Sequence, residues 1–153
     1  MLAGSELNDG RIEVRAVYRN QQHGILVRMM DKESRWGYDN GLKTMIPSLL
    51  FQGILGYPYV LPDMIGGNNY GSVSASPELF IRWAALTTFM PTMQFSIAPW
   101  SFTDPIAIEL SKKFVDLHAG WVFDRLMEII GDDPGAIASV SFEENAKQRF
   151  LSV

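Results

Sequence analysis

Short strand-like runs alternate with stretches of helical periodicity along this chain, and that order restricts the folds it can adopt. Apolar and polar side chains alternate over residues 11–19, and residues 24–30, 57–61 and 92–97 are short apolar runs typical of strands. Apolar side chains recur at helical spacing over residues 43–55. Strands that alternate with helices predict an α/β fold with a parallel sheet or barrel.

Several helix ends are marked by residues that favour those positions. A Ser-Pro-Glu run at residues 76–78 predicts one helix start, and an Asp-Pro pair at residues 104–105 predicts another, with that last helix ending at Gly131. In the helix expected over residues 43–55, Pro47 must lie in the first turn or kink the helix. Gly56 is expected to stop the same helix.

The chain has 153 residues, whereas a complete (β/α)₈ barrel needs about 250. The alternation described above gives three or four βα units. We therefore predict part of a barrel and not a complete domain, with a small open α/β sheet as the alternative.

Composition and charge exclude several classes of protein. The chain has no cysteine, which excludes disulfides and thiolate metal sites. Its formal net charge is −4 and no face carries clustered Lys and Arg, so no nucleic-acid partner is expected. His23 and His118 are far apart, and no spacing supports a metal site. Proline and glycine interrupt the uncharged stretches 44–62 and 83–103, so no membrane segment is predicted in this chain.

Two acidic residues stand in predicted loops after strands, where barrels carry their catalytic groups. Asp39 belongs to the polar and aromatic loop 31–41, and Asp63 opens the glycine-rich loop 63–76. Both have aromatic or apolar neighbours, and burial against such groups raises a carboxyl pKa toward the range that a general acid needs. The residues alone also allow a plainer interpretation, in which Asp39 is a turn acid before Leu42 and Asp63 is a turn residue before two glycines.

Three motifs, in the same order and at similar separations, resemble glycoside hydrolase family 31. Residues 36–40, Trp-Gly-Tyr-Asp-Asn, resemble the family segment Trp-x-Gly-Asp-Asn, whose aspartate is the acid/base. Residues 62–67, Pro-Asp-Met-Ile-Gly-Gly, resemble its Asp-Ile-Gly-Gly-Phe signature. Residues 77–83 and 89–91 resemble its Glu-Leu-x-x-Arg-Trp and Phe-x-Pro patterns. The likeness extends over most of the chain and is greatest to the myogenesis-regulating glycosidase branch.

The resemblance implies the C-terminal part of a (β/α)₈ TIM barrel, incomplete in this chain. It also implies a carbohydrate substrate and hydrolysis of α-glycosides with retention, without a metal or other cofactor. By position, Asp39 would be the catalytic acid/base. Arg15, Trp36 and Asp63 would form the substrate-binding set. In that set Arg15 is similar to the arginine that contacts the sugar at the scissile bond, and Asp63 would line or brace the pocket.

The same resemblance puts the family's nucleophilic aspartate on an earlier strand, before the region that matches Arg11. The nucleophile is therefore expected outside this chain, and the chain alone is expected to be inactive. The alternative is a truncated, catalytically inactive glycosidase-like protein that acts, if at all, by binding. A small independent α/β module that binds a partner is a third interpretation.

Two departures from the family pattern bear on substrate and domain limits. Gln94 and Ser96 stand where most α-glucosidases of the family carry arginine and histidine, so an α-galactoside is as plausible a substrate as an α-glucoside. The pattern also ends near residue 131, which divides the chain into a partial catalytic barrel, 1–131, and a divergent tail, 132–153. If the full-length protein follows its branch, the resemblance implies membrane anchoring in the secretory pathway.

Overall fold

A three-stranded parallel sheet is the framework of the part of the chain that this computed structural model describes, residues 12–23 and 25–132. In spatial order, the strands are β1 (Glu13–Val14), β2 (Leu26–Arg28) and β3 (Val60–Leu61). Val27 of β2 is paired with Val14 on one side and with Val60 on the other. All three strands run in the same direction, so their C-terminal ends lie at one edge of the sheet, as the barrel prediction requires.

Helix α1 (Met45–Ile54) connects β2 to β3, and a 3₁₀ turn (Leu42–Thr44) precedes it. Pro47 lies in the first turn of α1, where its missing N–H removes no intrahelical hydrogen bond. Gly56 follows the helix with a φ of +83°, which glycine adopts without a Cβ clash. The predicted positions of both residues are confirmed.

Side-chain caps start the next two helices, α2 (Pro77–Thr87) and α3 (Pro105–Leu117). Ser76 accepts a hydrogen bond of 3.2 Å from the N–H of Leu79. Asp104 accepts one of 2.9 Å from the N–H of Ile106. Each cap satisfies an N–H that has no partner inside the helix, and losing such a cap costs about 1 kcal/mol. Both predicted helix starts are confirmed.

The main hydrophobic core forms where α1 and α2 pack with β3. Phe80 and Trp83 of α2 are fully buried. The Phe80 ring centroid lies 4.8 Å from that of Phe102 and 6.0 Å from that of Phe95, within the range of favourable aromatic pairs. The other buried members of this core are Met29, Met45, Leu49, Val60, Ile65, Ala75, Leu79, Ala84 and Met90.

The first strand is shorter than the alternation over residues 11–19 predicts. Only Glu13–Val14 is strand within that range. Arg15 lies just outside the strand and its side chain pairs with Asp31, while Arg19 has a φ of +52°, which lies outside the extended region. Arg11 lies outside the described residues.

The strand predicted over residues 92–97 does not form. In its place a single parallel bridge joins Phe95 to Ile65. Gly66 and Gly67 have φ values of +90° and +78°, so the backbone turns away directly after Ile65 and offers no extended partner.

The last helix is interrupted, although the sequence predicts one continuous helix as far as Gly131. A π-helical turn (His118–Val122) follows α3, with non-helical backbone angles at Gly120, and α4 (Phe123–Asp132) continues from there. Trp121, inside this π-helical turn, is 43% exposed. The predicted tail lies outside the described residues from position 133 onward.

Candidate active site

Charged side chains follow all three strands at the C-terminal edge of the sheet. Arg15 comes directly after β1, Asp31 three residues after β2, and Asp63 two residues after β3. Arg15 forms an ion pair with Asp31, and its Nη2 lies 4.0 Å from Asp63 Oδ1. In a barrel of this type, this edge is the catalytic face.

The carboxylate of Asp63 is fully buried and surrounded by hydrogen-bond donors. Its Oδ1 accepts from Arg28 Nη2 at 2.8 Å. Its Oδ2 accepts from the backbone N–H of Lys32 at 2.8 Å and from Asn68 Nδ2 at 2.7 Å. The Arg28 side chain is only 10% exposed, so both charges of the pair are removed from water. A buried charge needs such compensation to be tolerated.

The backbone of Asp63 lies in the left-handed region, with a φ of +72°. A residue with a Cβ adopts this region at a cost, although aspartate tolerates it better than most. Such a conformation persists where the surroundings over-determine it. The bonds to Arg28, Lys32 and Asn68 supply that constraint, so Asp63 braces the loops around it.

Asp31 is the second carboxylate of this edge, and its side chain is 40% exposed. The hydroxyl of Tyr70 donates to Asp31 Oδ2, and Arg15 pairs with Oδ1. The hydrogen bond from Tyr70 and then that from Arg15 lower the pKa of Asp31 below its ordinary value. The contact with Asp31 raises the pKa of Tyr70 and that of Arg15. At neutral pH, Asp31 is therefore an ionised hydrogen-bond acceptor.

The loops after β2 and β3, residues 31–41 and 63–76, are joined by a reciprocal pair of hydrogen bonds. Ser34 Oγ donates to Asn69 Oδ1 at 2.8 Å and accepts from the N–H of Asn69 at 2.9 Å. The same Asn69 Oδ1 accepts from the N–H of Ala75 at 2.9 Å. The Asn69 side chain thus fixes the curvature of the second loop and the position of that loop against the first one.

Gly67 marks the closest approach of these two loops. A Cβ on Gly67 would lie 2.7 Å from backbone atoms of Glu33 and Ser34. Nearby, the N–H of Asn68 donates to the carbonyl of Lys32 at 2.9 Å. Lys32 is itself buried, and its pKa lies below the ordinary value. Burial lowers it by more than the opposing charge of Asp63 raises it. The close approach of the Glu33 and Ser34 backbone leaves room for glycine only at position 67.

Asp39 lies on the exposed side of the loop 31–41. Its side chain is 60% exposed, and its Oδ2 lies 2.8 Å from Arg35 Nη1. Its Oδ1 lies over Gly37 so closely that a Cβ on that residue would overlap it. Asp39 is thus a carboxylate accessible to solvent, held on one side by a guanidinium.

The aromatic neighbours of Asp39 are also accessible. Trp36 is 39% exposed and Tyr38 is 75% exposed. The carbonyl of Trp36 accepts a 3.2 Å hydrogen bond from the N–H of Lys43, whose Nζ lies 5.4 Å from the centroid of the Tyr38 ring. The loop therefore presents a carboxylate and two aromatic surfaces together.

The structure places the predicted residues in two groups on one face. Arg15 and Asp63 meet at the strand ends, in an inner cluster whose members are Arg15, Arg28, Asp31, Asp63 and Tyr70. Asp39 and Trp36 form the second group, later in the loop 31–41 that begins with Asp31. Among the described residues, no hydrogen bond or ion pair joins Asp39 to Arg15 or to Asp63.

Sequence reasoning missed three members of the inner cluster. Arg28 is the only charged residue in the apolar run 24–30, and Asp31 directly follows that run, so a charge at the end of a predicted strand was an available signal. Tyr70 gave no comparable signal. It reaches Asp31 across 39 positions of sequence, through the curvature of a glycine-rich loop.

A cavity of about 140 Å³ lies between the two loops, and its lining includes Glu33, Arg35 and Tyr70. Ligand pockets usually enclose about 300–1,000 Å³. A larger cavity, about 540 Å³, lies between residues 95–100 and α3, but its lining is mostly apolar and holds no carboxylate. Neither cavity is lined by Asp39, Arg15 or Asp63.

No cluster of three or more His, Asp or Glu residues suited to a metal ion occurs in the described ranges. None of the helices in the same ranges has both the length and the apolar character needed to cross a membrane.

The family model described as the TIM-barrel domain of glycosyl hydrolases family 31 matches residues 11–119. The chain belongs to glycoside hydrolase family 31. The match confirms the predicted α/β fold, an incomplete TIM barrel, and its range includes Arg15, Asp31 and Asp63. It ends two residues after α3.

Two curated relatives resemble this family 31 chain. It is 41% identical to the mouse protein named myogenesis-regulating glycosidase over 128 residues, which is 78% of this chain and 18% of the relative. It is 35% identical to the SITS-binding protein of Tetronarce californica over 127 residues, which is 83% of this chain and 18% of that protein. The chain thus spans less than a fifth of the length of each.

Proposed function

We propose that this chain supplies the acid/base half of a retaining α-glycosidase site, with Asp39 as the proton-transferring carboxyl. The observation that supports the proposal is the solvent exposure of Asp39 in a family 31 barrel. It is 60% exposed, on the loop that follows β2, while the neighbouring carboxylate of Asp63 is fully buried. A group that exchanges protons with substrate and water must be reachable by both.

A retaining glycosidase uses two carboxyl groups about 5–5.5 Å apart. One attacks the anomeric carbon, and the other protonates the leaving oxygen and later deprotonates water. Asp63 is unsuited to attack, because Arg28, Lys32 and Asn68 already occupy its oxygens. The nucleophile in this proposal is therefore a carboxylate outside these 153 residues.

The inner cluster forms the floor of the proposed sugar site. Arg15 and Asp31 are partly exposed and offer a donor and an ionised acceptor for sugar hydroxyls, and Trp36 offers a face for the sugar ring. Asp63 acts in this set as the brace that holds Arg28 and the two loops. Gln94 and Ser96 stand where most α-glucosidases of the family carry arginine and histidine, so the proposed substrate is either an α-glucoside or an α-galactoside.

Catalysis is tested first on the chain alone, which we expect to release no 4-nitrophenol from 4-nitrophenyl α-galactoside. General acid–base help contributes about 10²–10⁴-fold, and it does not replace a missing nucleophile. Hydrolysis by the purified chain that disappears in Asp39→Asn would show that the chain holds both carboxyl groups.

The role of Asp39 is tested in a chimera in which residues 11–119 replace the matching segment of the mouse relative. We expect Asp39→Asn to lower kcat by about 10²–10⁴-fold. Sodium azide should restore turnover and yield the α-glycosyl azide, because azide needs no base to attack the glycosyl-enzyme. Asp116→Asn, at another exposed carboxylate, is the control. Full activity of the Asp39→Asn chimera would refute the assignment.

A second candidate is a protein that binds a glycoside-like ligand without cleaving it. One relative is named for binding SITS and not for catalysis, which supports this candidate. It predicts that the Asp39→Asn chain binds methyl α-galactoside as tightly as the unaltered chain does. It also predicts that the chimera gains no hydrolysis with either residue at position 39.

A further inference from the structure

Tyr38 is an exposed aromatic residue next to the proposed acid, and it is not a member of the inner cluster. Its side chain is 75% exposed. The family 31 segment that residues 36–40 resemble has glycine at this position, so the ring is a feature that the motif itself does not require. A single exposed aromatic residue is common on a protein surface and carries no meaning without further evidence. The contact of Tyr38 with Lys43 and its position next to Asp39 distinguish it from such a residue.

One face of the Tyr38 ring is already covered. Lys43 Nζ lies 5.4 Å from the ring centroid, within the range of a cation–π contact. Lys43 is tied to the same loop, because its N–H donates to the carbonyl of Trp36 at 3.2 Å. The ammonium lies over one face of the ring, and the high exposure of Tyr38 leaves the opposite face open to a ligand.

The position of Tyr38 relative to the reaction follows from the role of Asp39. A glycosidase acid protonates the oxygen between the cleaved sugar and the leaving group. Tyr38 adjoins Asp39 in the loop and is exposed as that carboxyl is, so under the proposed function it would border the leaving group. The cleaved sugar lies on the other side of the bond, toward Arg15 and Asp31.

We infer that Tyr38 is a stacking platform for the leaving group. The inference rests on the proposed function, and it names a substrate class: α-glycosides whose leaving group is a ring with an apolar face, either a second pyranose or an aryl group. Such a ring packs on the open face of Tyr38 while the acid reaches the bridging oxygen. A small alkyl leaving group has no surface to place there.

The test compares two probes that share the sugar and differ in the leaving group. Dissociation constants of methyl α-D-galactopyranoside and 4-nitrophenyl α-D-galactopyranoside are measured on the purified chain by saturation-transfer NMR titration. We expect the aryl glycoside to bind about 2- to 12-fold more tightly, which corresponds to one aromatic pair. Tyr38→Ala should bring this ratio to about one without changing the constant for the methyl glycoside.

Two variants serve as controls. Tyr38→Phe retains the ring and should retain the ratio. Tyr18→Ala should not affect it, although Tyr18 is matched to Tyr38 in exposure, at 77%, and in its cation contact, with Arg19 5.3 Å from its centroid. The comparison therefore separates a specific platform from the general stickiness of an exposed tyrosine.

The remaining outcomes distinguish failure of the platform from failure of the sugar site. If Tyr38→Ala leaves the ratio unchanged while the methyl glycoside still binds, the platform is refuted and the sugar site stands. If Tyr38→Ala weakens both glycosides equally, the ring contacts the sugar and the leaving-group role is refuted. If the unaltered chain binds neither glycoside, the proposed sugar site fails and the platform fails with it.

Discussion

Asp63 and Asp39 both follow strands on the same face of the barrel, but their surroundings are opposite. Asp63 is completely buried, has a left-handed backbone, and receives three hydrogen bonds. Asp39 is 60% exposed and is paired with one exposed arginine, Arg35. The number of donors around each carboxylate, and its access to water, separate a group that holds the site from a group that is free to react.

The difference shows how a barrel face combines order with reactivity. A carboxylate that is fully buried and held by protein donors is closed to substrate, but it fixes the loops that carry other groups. Asp63 does this through Lys32 and Asn68, one on each loop. Asp39 extends from the first of these loops, so its position depends indirectly on the buried aspartate.

The largest effect on stability is expected when the buried carboxylate is removed. Asp63→Ala leaves the nearly buried guanidinium of Arg28 with only its 3.4 Å contact to the partly exposed Glu13, and breaking a buried ion pair costs about 3–5 kcal/mol. Urea unfolding of the purified chain measures the change. The double variant Arg28→Met/Asp63→Ala should recover part of the loss, because no uncompensated charge remains. A loss below about 1 kcal/mol, the range of exposed pairs, would remove the contrast with Asp39.

The next largest effect concerns the contact between the loops. Gly67→Ala and Gly71→Ala both place a Cβ at positive φ, at +78° and +64°, which costs about 1–2 kcal/mol in each. Only at Gly67 does the Cβ also meet backbone, 2.7 Å away, whereas nothing lies within 4 Å at Gly71. Overpacking adds about 1–3 kcal/mol. The thermal unfolding midpoint of Gly67→Ala should therefore lie well below that of Gly71→Ala. Equal midpoints would show that the two loops do not pack tightly at Gly67.

A smaller, pH-dependent effect is expected at Asp31, which is intermediate in exposure between the two aspartates. Its pKa in the folded chain is below the ordinary 3.8, so its stabilising contacts are complete above that pH and are lost as the pH falls through the lower folded value. The pKa of Tyr70 is raised above 10.0, so its contribution is complete below pH 10 and is lost as the pH rises through the folded value.

The measurement compares the free energy of unfolding of Asp31→Asn with that of the unaltered chain across pH. The difference should be constant from about pH 5 to 8 and should shrink below pH 3.8. Tyr70→Phe is the control, because it removes the main cause of the lowered pKa and should reduce the acid-side change. A difference that grows as the pH falls would contradict the assigned contacts.

Local signals account for what the sequence predicted well. Ser76, Asp104, Pro47 and Gly56 act on their own helix ends, within a few residues, and each lies where it was expected. The strand over residues 92–97 failed because its formation depends on a distant partner, which two glycines turn away.

The site was less accessible to sequence reasoning for the same physical reason. Asp63 was placed after a predicted strand by the alternation of elements, whereas Arg15 was predicted inside one, and the contacts of Arg15 with Asp31 and Asp63 are long-range. The aromatic neighbours of Asp39 suggested a buried carboxyl. Burial does not follow from such neighbours, because the side chains of Trp36 and Tyr38 also face solvent.

The smallest effect on stability is expected at Asp39 itself. Asp39→Ala removes one exposed ion pair, which contributes about 0–1 kcal/mol. Gly37→Ala should be nearly as mild, because the added Cβ displaces only the mobile end of the Asp39 side chain and no backbone. In the chimera with the mouse relative, however, Gly37→Ala should reduce kcat as it shifts that carboxyl. Unfolding midpoints close to that of the unaltered chain, combined with a lowered kcat, would identify Asp39 as a reactive group, whereas a large loss of stability would make it a second brace like Asp63.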